Sequence, residues 1–388
     1  MTMSRIYLDH AATTPMVPEA VEAMTRELTR IGNASSLHAS GRSARRVVEE
    51  SREAIAARVG ARPAELIFTS GGTESDNLAI KGAFWTSMQA GRRRLVTSRV
   101  EHHAVLDSVA WLGHSVPAEV SYVPVDSSGR LDMSALTSSV DAQTGLVSVM
   151  WANNEVGTLQ PVRDIAATAA EHGAISHSDA VQAVGHIEVD FAATGLDMLS
   201  FTAHKLGGPY GIGALLARRE IQLAPMLHGG GQERDVRSGT LDVAATAGFA
   251  AAVEVATRNR AREEERLREL RTELVGSVLA AVPGAVPYGA AECDRLPGIA
   301  NIGFPGCSAD AILMLLDAAG IDCSTGAACS AGVSQPSHVL LAMGCRAAEA
   351  RSALRFSLGH TSIRADVKAL VAELPEAVQR AKAAAAFA

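Results

Sequence analysis

The sequence has few aromatic residues and no long uncharged apolar segment. Phe, Trp and Tyr account for 4% of its 388 residues, and no run of about 18 or more apolar residues is free of charge, which argues against a membrane-spanning helix. No secretory segment is visible at the N-terminus, so we expect a cytoplasmic protein. The 42 acidic residues outnumber the 35 basic ones and give a net charge of -7, which argues against nucleic acid as a direct ligand.

Cysteine is also scarce, and several familiar cofactor motifs are missing. The five cysteines all fall in the last quarter of the chain: Cys293, Cys307, Cys323, Cys329 and Cys345. None are spaced as C-x-x-C, which argues against a zinc ribbon or a thioredoxin-like site. Their irregular spacing disfavours a resident iron–sulfur cluster, although a transient cluster ligated by Cys329 stays open. The absence of G-x-G-x-x-G and of a P-loop lysine disfavours a nicotinamide dehydrogenase and a P-loop enzyme.

Short apolar runs alternate with helical patterns through the first half of the chain. Seven runs have the composition of buried strands: residues 65–69, 94–97, 120–124, 146–150, 174–177, 197–202 and 211–216. This alternation predicts an α/β domain around a mostly parallel sheet, with active groups at the carboxyl ends of its strands. A long helix beginning near Asp242 precedes a smaller α/β unit, which has strand-like runs at 299–304 and 354–358.

Lys205 follows the apolar run 197–202 directly and precedes a Gly-Gly-Pro turn. A lysine delivered from a buried strand is poorly solvated and well placed to hold an aldehyde cofactor as a Schiff base. Asp179 follows the run 174–177 in the same way. A lysine and a buried acid are the pair that pyridoxal phosphate (PLP) requires, because the acid keeps the pyridine nitrogen protonated. The sequence therefore predicts a PLP site built on these two residues.

Two further segments after predicted strands suit such a site. Residues 70–74 form a Ser/Gly-rich turn whose backbone N–H groups, with the Thr73 hydroxyl, could bind a phosphate, although many such turns bind nothing. His102 follows the next strand and could stack on a cofactor ring and exchange protons near neutral pH. Spacing alone does not distinguish His102 from His103.

The remaining candidates each have a structural alternative. Asn153 or Asn154, and also Gln182, could hydrogen-bond a phenolic oxygen of the cofactor, whereas the asparagines could instead cap a turn. Arg355 lies inside an apolar run, so it must be paired either with a substrate carboxylate or with a protein acid. The glycine-rich, charged segment 229–240 could be a plain surface loop or could reach the cofactor phosphate of a neighbouring subunit.

Cys329 lies among small residues and two glycines, in the segment 323–332. This composition is typical of an exposed, movable loop, on which a thiol could attack a substrate atom and carry the product group outward. Cys323 is the main competitor, but it follows an apolar stretch and is expected to be more buried.

Together these residues resemble those of the cysteine desulfurases, which are PLP enzymes of the class V aminotransferase family. The resemblance extends nearly from end to end, and its matching segments are residues 7–15, 69–77, 101–102, 153–155, 179–182, 204–205, 229–240 and 323–332. It implies PLP fold type I, the aspartate-aminotransferase-like α/β fold. It also implies a large PLP-binding domain at residues 16–257 and a small domain made of residues 1–15 and 258–388.

The same resemblance implies a role for each site residue. Lys205 binds PLP as a Schiff base and later moves protons, Asp179 pairs with the pyridinium nitrogen, and His102 stacks on the ring. It also implies that Asn154 and Gln182 hold the phenolic oxygen of the cofactor. The residues implied to bind the phosphate are Gly72, Thr73, Thr202 and His204, with Thr240 supplied by the partner subunit of a homodimer.

The resemblance further implies the reaction, which converts L-cysteine to L-alanine. Arg355, together with Asn154, binds the substrate, and Cys329 takes its sulfur as a persulfide. A sulfur-acceptor protein, either a cluster scaffold or a tRNA-thiolation protein, would then receive the sulfur. The alternatives within PLP chemistry are a selenocysteine lyase, an aminotransferase or a kynureninase-like hydrolase. As a group, these enzymes do not require a mobile thiol.

Three positions depart from the usual family pattern. The family often has Asn where His10 stands, Pro where Ala34 stands and Ser where Thr202 stands. Thr202 keeps the hydroxyl, so the implied phosphate contact is expected to survive.

Overall fold

A computed structural model describes residues 5–326 and 335–385. Its strands are β1 (Ile6–Tyr7), β2 (Leu66–Thr69), β3 (Arg94–Ser98), β4 (Glu119–Val123), β5 (Thr144–Ser148), β6 (Ile175–Asp179), β7 (Met198–Thr202), β8 (Gly213–Ala217), β9 (Val286–Tyr288), β10 (Ile299–Gly303), β11 (Ile321–Asp322) and β12 (Ala353–Ser357). Its helices are α1 (Pro18–Leu28), α2 (Ala39–Arg58), α3 (Gly72–Asn77), α4 (Ala83–Gln89), α5 (His103–Ser115), α6 (Met133–Ser139), α7 (Val162–Glu171), α8 (Phe191–Thr194), α9 (Val243–Ala281), α10 (Ala309–Ala318), α11 (His338–Ala342), α12 (Ala347–Ala350) and α13 (Arg364–Ala385).

Seven strands form the main sheet, in the order β2-β8-β7-β6-β5-β3-β4. The five strands from β7 to β4 run parallel, and β8 is antiparallel to both of its neighbours. Most of these strands are buried along their whole length, as expected for a sheet covered by helices on both faces. The predicted α/β architecture around a mostly parallel sheet is therefore confirmed.

The carboxyl ends of the parallel strands meet along one edge of this sheet. Asp179 is the last residue of β6, and Lys205 closes the helical turn that directly follows β7. α3 begins three residues after β2 ends, while α5 begins five residues after β3 ends. Segments that are far apart in the chain are thus brought to a common edge, where the predicted site residues lie.

A second group of strands lies outside the main sheet. β9, β10 and β12 form an antiparallel sheet, and β1 pairs in parallel with β11. Their apolar residues share a core with the second half of α9, including Leu267 and Leu274, while the first half of α9 packs Phe249 and Val253 against the core of the main sheet. The 39-residue helix α9 therefore connects two hydrophobic cores. Within the described part of the chain, no helix combines the length and apolar character needed to span a membrane.

Candidate active site

Lys205 lines a cleft between the end of the main sheet and β12. Its ammonium group donates hydrogen bonds to the carbonyl oxygens of Ala11 and Ala12. Burial lowers the pKa of Lys205 to about 8, with a further lowering from the positive charge of Arg355. A larger fraction of this amine is therefore unprotonated near neutral pH than for an exposed lysine, as a nucleophile requires.

Asp179 is buried in the same cleft and is 5% exposed. Its Oδ1 accepts a hydrogen bond of 2.9 Å from the backbone N–H of Val181, which fixes the carboxyl group at the end of β6. Burial raises the pKa of Asp179, and the nearby His102 and Lys205 oppose this rise. The carboxyl group is thus held in a poorly solvated position, where a cationic partner would stabilise its ionised form.

His102 lines the cleft and caps the N-terminus of α5. Its Nδ1 accepts a hydrogen bond of 3.1 Å from the backbone N–H of Ala104, so this tautomer carries its proton on Nε2. Burial lowers the pKa of His102, while the carboxylate of Asp179 opposes that effect. His103 begins α5 and also lies at the cleft, where its ring packs edge-on against His338. His102 makes the capping hydrogen bond and His103 does not. The sequence alone does not show this difference.

The start of α3 lines the cleft through Gly72 and Thr73. No side chain caps this helix end. Gly71 has a φ of +154°, and a Cβ on Gly72 would lie 2.9 Å from Cγ2 of Val181, so both glycines are needed for this close approach. The side chain of Thr73 is exposed to the cleft. The free N–H groups of the first turn are therefore available to an anion.

Thr202 and His204 line the same cleft and are both engaged by neighbouring protein groups. The Thr202 hydroxyl donates a 3.0 Å hydrogen bond to the carbonyl oxygen of Ile212. The His204 ring stacks on Tyr210, and burial lowers its pKa to about 4, so the ring is neutral. Thr202 lies beside the start of α3, with its Cβ 4.0 Å from the position that a Cβ on Gly72 would take.

Gln182 and Asn154 both line the cleft, whereas Asn153 does not. The Gln182 amide donates a 2.9 Å hydrogen bond to the carbonyl oxygen of Ala11, which also accepts from Lys205. The Asn153 side chain accepts hydrogen bonds from the backbone N–H groups of Glu155 and Val156. The turn-capping alternative thus describes Asn153 and leaves Asn154 to face the cleft.

Arg355 points into the cleft from the middle of β12 and is 4% exposed. Nη1 donates to the carbonyl oxygen of Asn154 and Nη2 to Oδ1 of Asp9, both over 2.8 Å. Its Nε is buried and has no hydrogen-bond partner among the described residues. Arg355 is therefore paired with a protein acid and uses two of its five N–H donors on the protein. The pairing with Asp9, 346 positions away, has no signal in the sequence.

The loop 229–240 is anchored to α2 and α3 by ionic contacts. Glu233 is buried and accepts two hydrogen bonds, of 2.6 and 2.9 Å, from the guanidinium of Arg52. Arg237 pairs with Glu74 on α3 at 2.8 Å. Three successive residues in this loop, 233–235, have positive φ values, a strained backbone that these contacts maintain. Thr240 is exposed and does not line the cleft of its own chain.

Cys329 lies outside the described residues, which stop at Gly326 and resume at residue 335. Gly326 and His338, on either side of that segment, both line the cleft. Cys323 is half-buried, and burial raises the pKa of its thiol to about 12, which makes it a poor nucleophile. Among the described residues, no group of three or more His, Cys, Asp or Glu side chains is arranged to hold a metal ion.

The cleft as a whole has a volume of about 1070 Å³, part of it open to solvent. Of the twelve predicted site residues, all but Thr240 and Cys329 line it: Gly72, Thr73, His102, Asn154, Asp179, Gln182, Thr202, His204, Lys205 and Arg355. Asp76 also lines it and was not foreseen. The only signal for Asp76 is its position four residues after Gly72, on the same helical face.

A family model described as "Aminotransferase class-V" matches residues 6–370. The chain belongs to the aminotransferase class-V family. It is 56% identical over 383 residues to "IscS-like cysteine desulfurase" of Mycobacterium tuberculosis, covering 98% of each chain. It is 44% identical over 375 residues to "Cysteine desulfurase" of Gluconacetobacter diazotrophicus, covering 96% of this chain and 93% of the other.

The structural comparison agrees with this membership. A solved structure named "NIFS-LIKE PROTEIN" matches with a TM-score of 0.88 at 34% identity, covering 99% of this chain and all of the other. The expected fold, PLP fold type I, is therefore confirmed for this member of the class V family.

Proposed function

We propose that this protein is a cysteine desulfurase that uses PLP to remove sulfur from L-cysteine, releasing L-alanine. The observation that carries the proposal is the presence of Lys205, Asp179, His102 and Arg355 in one cleft. The names of the full-length relatives support the same reaction over a selenocysteine lyase or an aminotransferase.

The cleft fits PLP by its own chemistry. The uncapped first turn of α3, which has no room for a Cβ at Gly72, suits a phosphate. Asp179 suits the pyridine nitrogen, and the Lys205 amine suits the aldehyde. We infer that Thr73, Thr202 and His204 also hold the phosphate, that His102 stacks on the ring, and that Asn154 and Gln182 hold the phenolic oxygen. When bound, PLP supplies an electron sink for breaking bonds at the substrate's carbon atoms.

Lys205 contributes a base whose pKa is near neutral pH. Since burial and Arg355 bring its pKa to about 8, its amine can release and accept a proton near neutral pH. His102 is held by its bond to Ala104, so its Nε2 faces away from the helix and can hold or give up a proton. The two groups lie close enough for the charge of one to lower the pKa of the other.

Arg355 binds the substrate carboxylate in this proposal, together with Asn154. Nη1 and Nη2 each use one N–H on the protein and retain a second for the substrate, and Asp9 keeps the guanidinium in place at 2.8 Å. Cys329 then attacks the sulfur of L-cysteine as a thiolate. The bond between carbon and sulfur breaks with its electron pair left on the carbon, the sulfur stays on Cys329 as a persulfide, and the carbon takes up a proton to give L-alanine.

We propose further that the protein is a cytoplasmic homodimer in which Thr240 contacts the cofactor phosphate of the partner subunit. The support is that Thr240 is exposed, at the end of an anchored loop. The persulfide is passed to an acceptor protein for iron–sulfur cluster assembly or tRNA thiolation.

The first test is the absorption spectrum of the purified protein before and after L-cysteine is added. The wild type should show a visible cofactor band that changes with L-cysteine, and Lys205→Ala should lack that band. A wild-type protein that stays colourless after PLP is added would contradict the proposal that it binds PLP.

A second test separates the two candidate thiols. Cys329→Ala should keep the cofactor band and lose sulfide release, whereas the matched variant Cys323→Ala should keep both. Undiminished sulfide release by Cys329→Ala would exclude the proposed sulfur transfer. Comparing L-cysteine with L-selenocysteine in the same assay distinguishes a desulfurase from a selenocysteine lyase.

A further inference from the structure

Asp76 is a second buried acid on the floor of the cleft, in addition to Asp179. It lies one helical turn beyond Gly72 on α3, so both residues face the cleft. The residue is 1% exposed, and its Oδ1 has no hydrogen-bond partner among the described residues. A buried carboxyl oxygen without a partner is costly, above all when it is charged.

The histidine closest to Asp76 is not a positive partner for it. Nε2 of His177 lies 3.7 Å from Oδ1 of Asp76. However, both ring nitrogens of His177 lie 2.9 Å from serine hydroxyls, those of Ser148 and Ser200. Burial lowers the pKa of His177 to about 3, so its ring is neutral near pH 7. The contact with Asp76 is therefore not an ion pair.

The other groups around Asp76 also disfavour a negative charge on it. Burial is the main reason that its pKa is raised, and the carboxyl group of Asp179 raises it further; the Ser200 hydroxyl opposes this rise, and Glu101 adds the smallest contribution to it. The cationic and proton-binding groups of the cleft interact with acids other than Asp76. Lys205 and His102 act on Asp179, and Arg355 is paired with Asp9.

We propose that Asp76 is a positioning residue that holds a proton and stays neutral, leaving Asp179 as the single negative charge opposite the ring nitrogen of the cofactor. Two neighbouring buried carboxyl groups do not both ionise readily, because the like charges repel in a poorly solvated site. The neutral acid fills the floor of the cleft without competing for the ring proton. This inference rests on the proposed PLP site.

Infrared spectroscopy tests the proton on Asp76 directly. The difference spectrum between the wild type and Asp76→Asn, both loaded with PLP, should contain the carbonyl stretch of a protonated carboxylic acid, shifted in D2O. Burial also raises the pKa of Glu101, to about 8, so this acid can contribute a band of the same kind. The matched variant Glu101→Gln identifies the Glu101 band and separates it from that of Asp76. A difference spectrum with only the stretch of an ionised carboxylate would overturn the proposal.

The charge on the ring nitrogen provides a second readout. With PLP labelled with ¹⁵N in the ring, NMR should find that nitrogen protonated in the wild type and in Asp76→Asn, but not in Asp179→Asn. Loss of the ring proton in Asp76→Asn would show that Asp76 is the ionised partner and would refute the assignment. Asp76→Ser replaces Asp76→Asn in both experiments if the latter does not fold.

The two proposals fail in different ways. A wild type that binds no PLP contradicts the proposed function, while the infrared difference can still be measured on the cofactor-free protein. A wild type that binds PLP but lacks a protonated Asp76 contradicts only this inference.

Discussion

Arg355 affects the cleft through its charge as well as through its hydrogen bonds. It is one cause of the low Lys205 pKa, which burial mainly brings to about 8. Arg355→Gln removes a positive charge, so we expect the Lys205 pKa to rise and fewer amines to be unprotonated near pH 7. The rate of PLP uptake by the cofactor-free protein is measured as a function of pH. The pH at which this rate reaches half of its maximum, the midpoint, should be higher for Arg355→Gln than for the wild type.

The matched control for this prediction is Arg351→Gln. Arg351 is exposed just before β12, so its loss should leave the midpoint unchanged. Arg355→Gln should also raise the KM for L-cysteine by roughly 100-fold, the usual effect of losing a charged hydrogen-bond partner. Equal midpoints in wild type and Arg355→Gln would mean that Arg355 does not act on Lys205.

His10 makes the stability of the fold sensitive to acid. The residue is 5% exposed, and burial lowers its pKa from 6.5 to about 3. Between these two values the unfolded chain binds a proton that the folded chain does not, so stability is lost as the pH falls below 6.5. At about pH 5 this cost is about 2 kcal/mol.

The variant His10→Asn, which carries the residue common in the family, should reduce this acid sensitivity. Urea denaturation at about pH 7.5 and about pH 5 measures it: the wild type should lose about 2 kcal/mol more between these conditions than the variant does. His114→Asn, at an exposed histidine on α5, should behave like the wild type. A variant as acid-sensitive as the wild type would assign the effect to other groups, such as the buried His177.

At the scale of elements, the close approach of α3 to the segment that follows β6 shapes the proposed phosphate site. A Cβ at Gly72 would lie 2.9 Å from Val181, so one of the two segments must shift. Gly72→Ala should therefore raise the PLP dissociation constant by about 10-fold or more, because small displacements in a binding site are costly. Equilibrium dialysis or band titration measures this constant.

The control is Gly276→Ala, at an exposed position of α9 where no atom lies within 4 Å of the added Cβ. It should leave PLP binding unchanged and stabilise the protein by about 1 kcal/mol through helix propensity. If Gly72→Ala binds PLP as tightly as the wild type, the phosphate does not occupy the first turn of α3.

At the scale of the whole molecule, the position of Thr240 predicts a site shared between two subunits. Thr240→Ala should weaken PLP binding by about 10-fold, the usual value of one hydrogen bond to a charged group. A mixture of Lys205→Ala chains and Thr240→Ala chains should form heterodimers in which one of the two sites has both native residues. Tight PLP binding should therefore return after mixing.

The alternative arrangement gives the opposite result. If Thr240 acts within its own chain, each site in the heterodimer keeps one defect, and mixing restores nothing. A sedimentation measurement accompanies this test, since a monomeric wild type would exclude a shared site.

The division into residues 16–257 and the rest stays a prediction. Its proposed boundary falls inside α9, which runs without interruption from Val243 to Ala281. Helical periodicity continues across that point, so no local pattern marks it; the separate core around Leu267 and Leu274 is the feature that supports it.

Local patterns in the sequence were sufficient for the order of the elements and for most of the cleft. Lys205 and Asp179 could be predicted because an apolar run precedes each of them, and the carboxyl ends of parallel strands share one edge. Strand bounds differed by a few residues: β5 begins at Thr144 rather than Leu146, since backbone pairing continues beyond the apolar run.

Only the tertiary structure decided which distant residues meet. Asp9 and Arg355 are 346 positions apart and pair because β12 runs beside the segment that follows β1. Asp76 and Asp179 line the same cleft because the start of α3 approaches the segment that follows β6, where a Cβ on Gly72 would lie 2.9 Å from Val181. Sequence periodicity reports which face of an element is apolar, whereas such contacts depend on the order of strands in the sheet, which no short stretch of sequence contains.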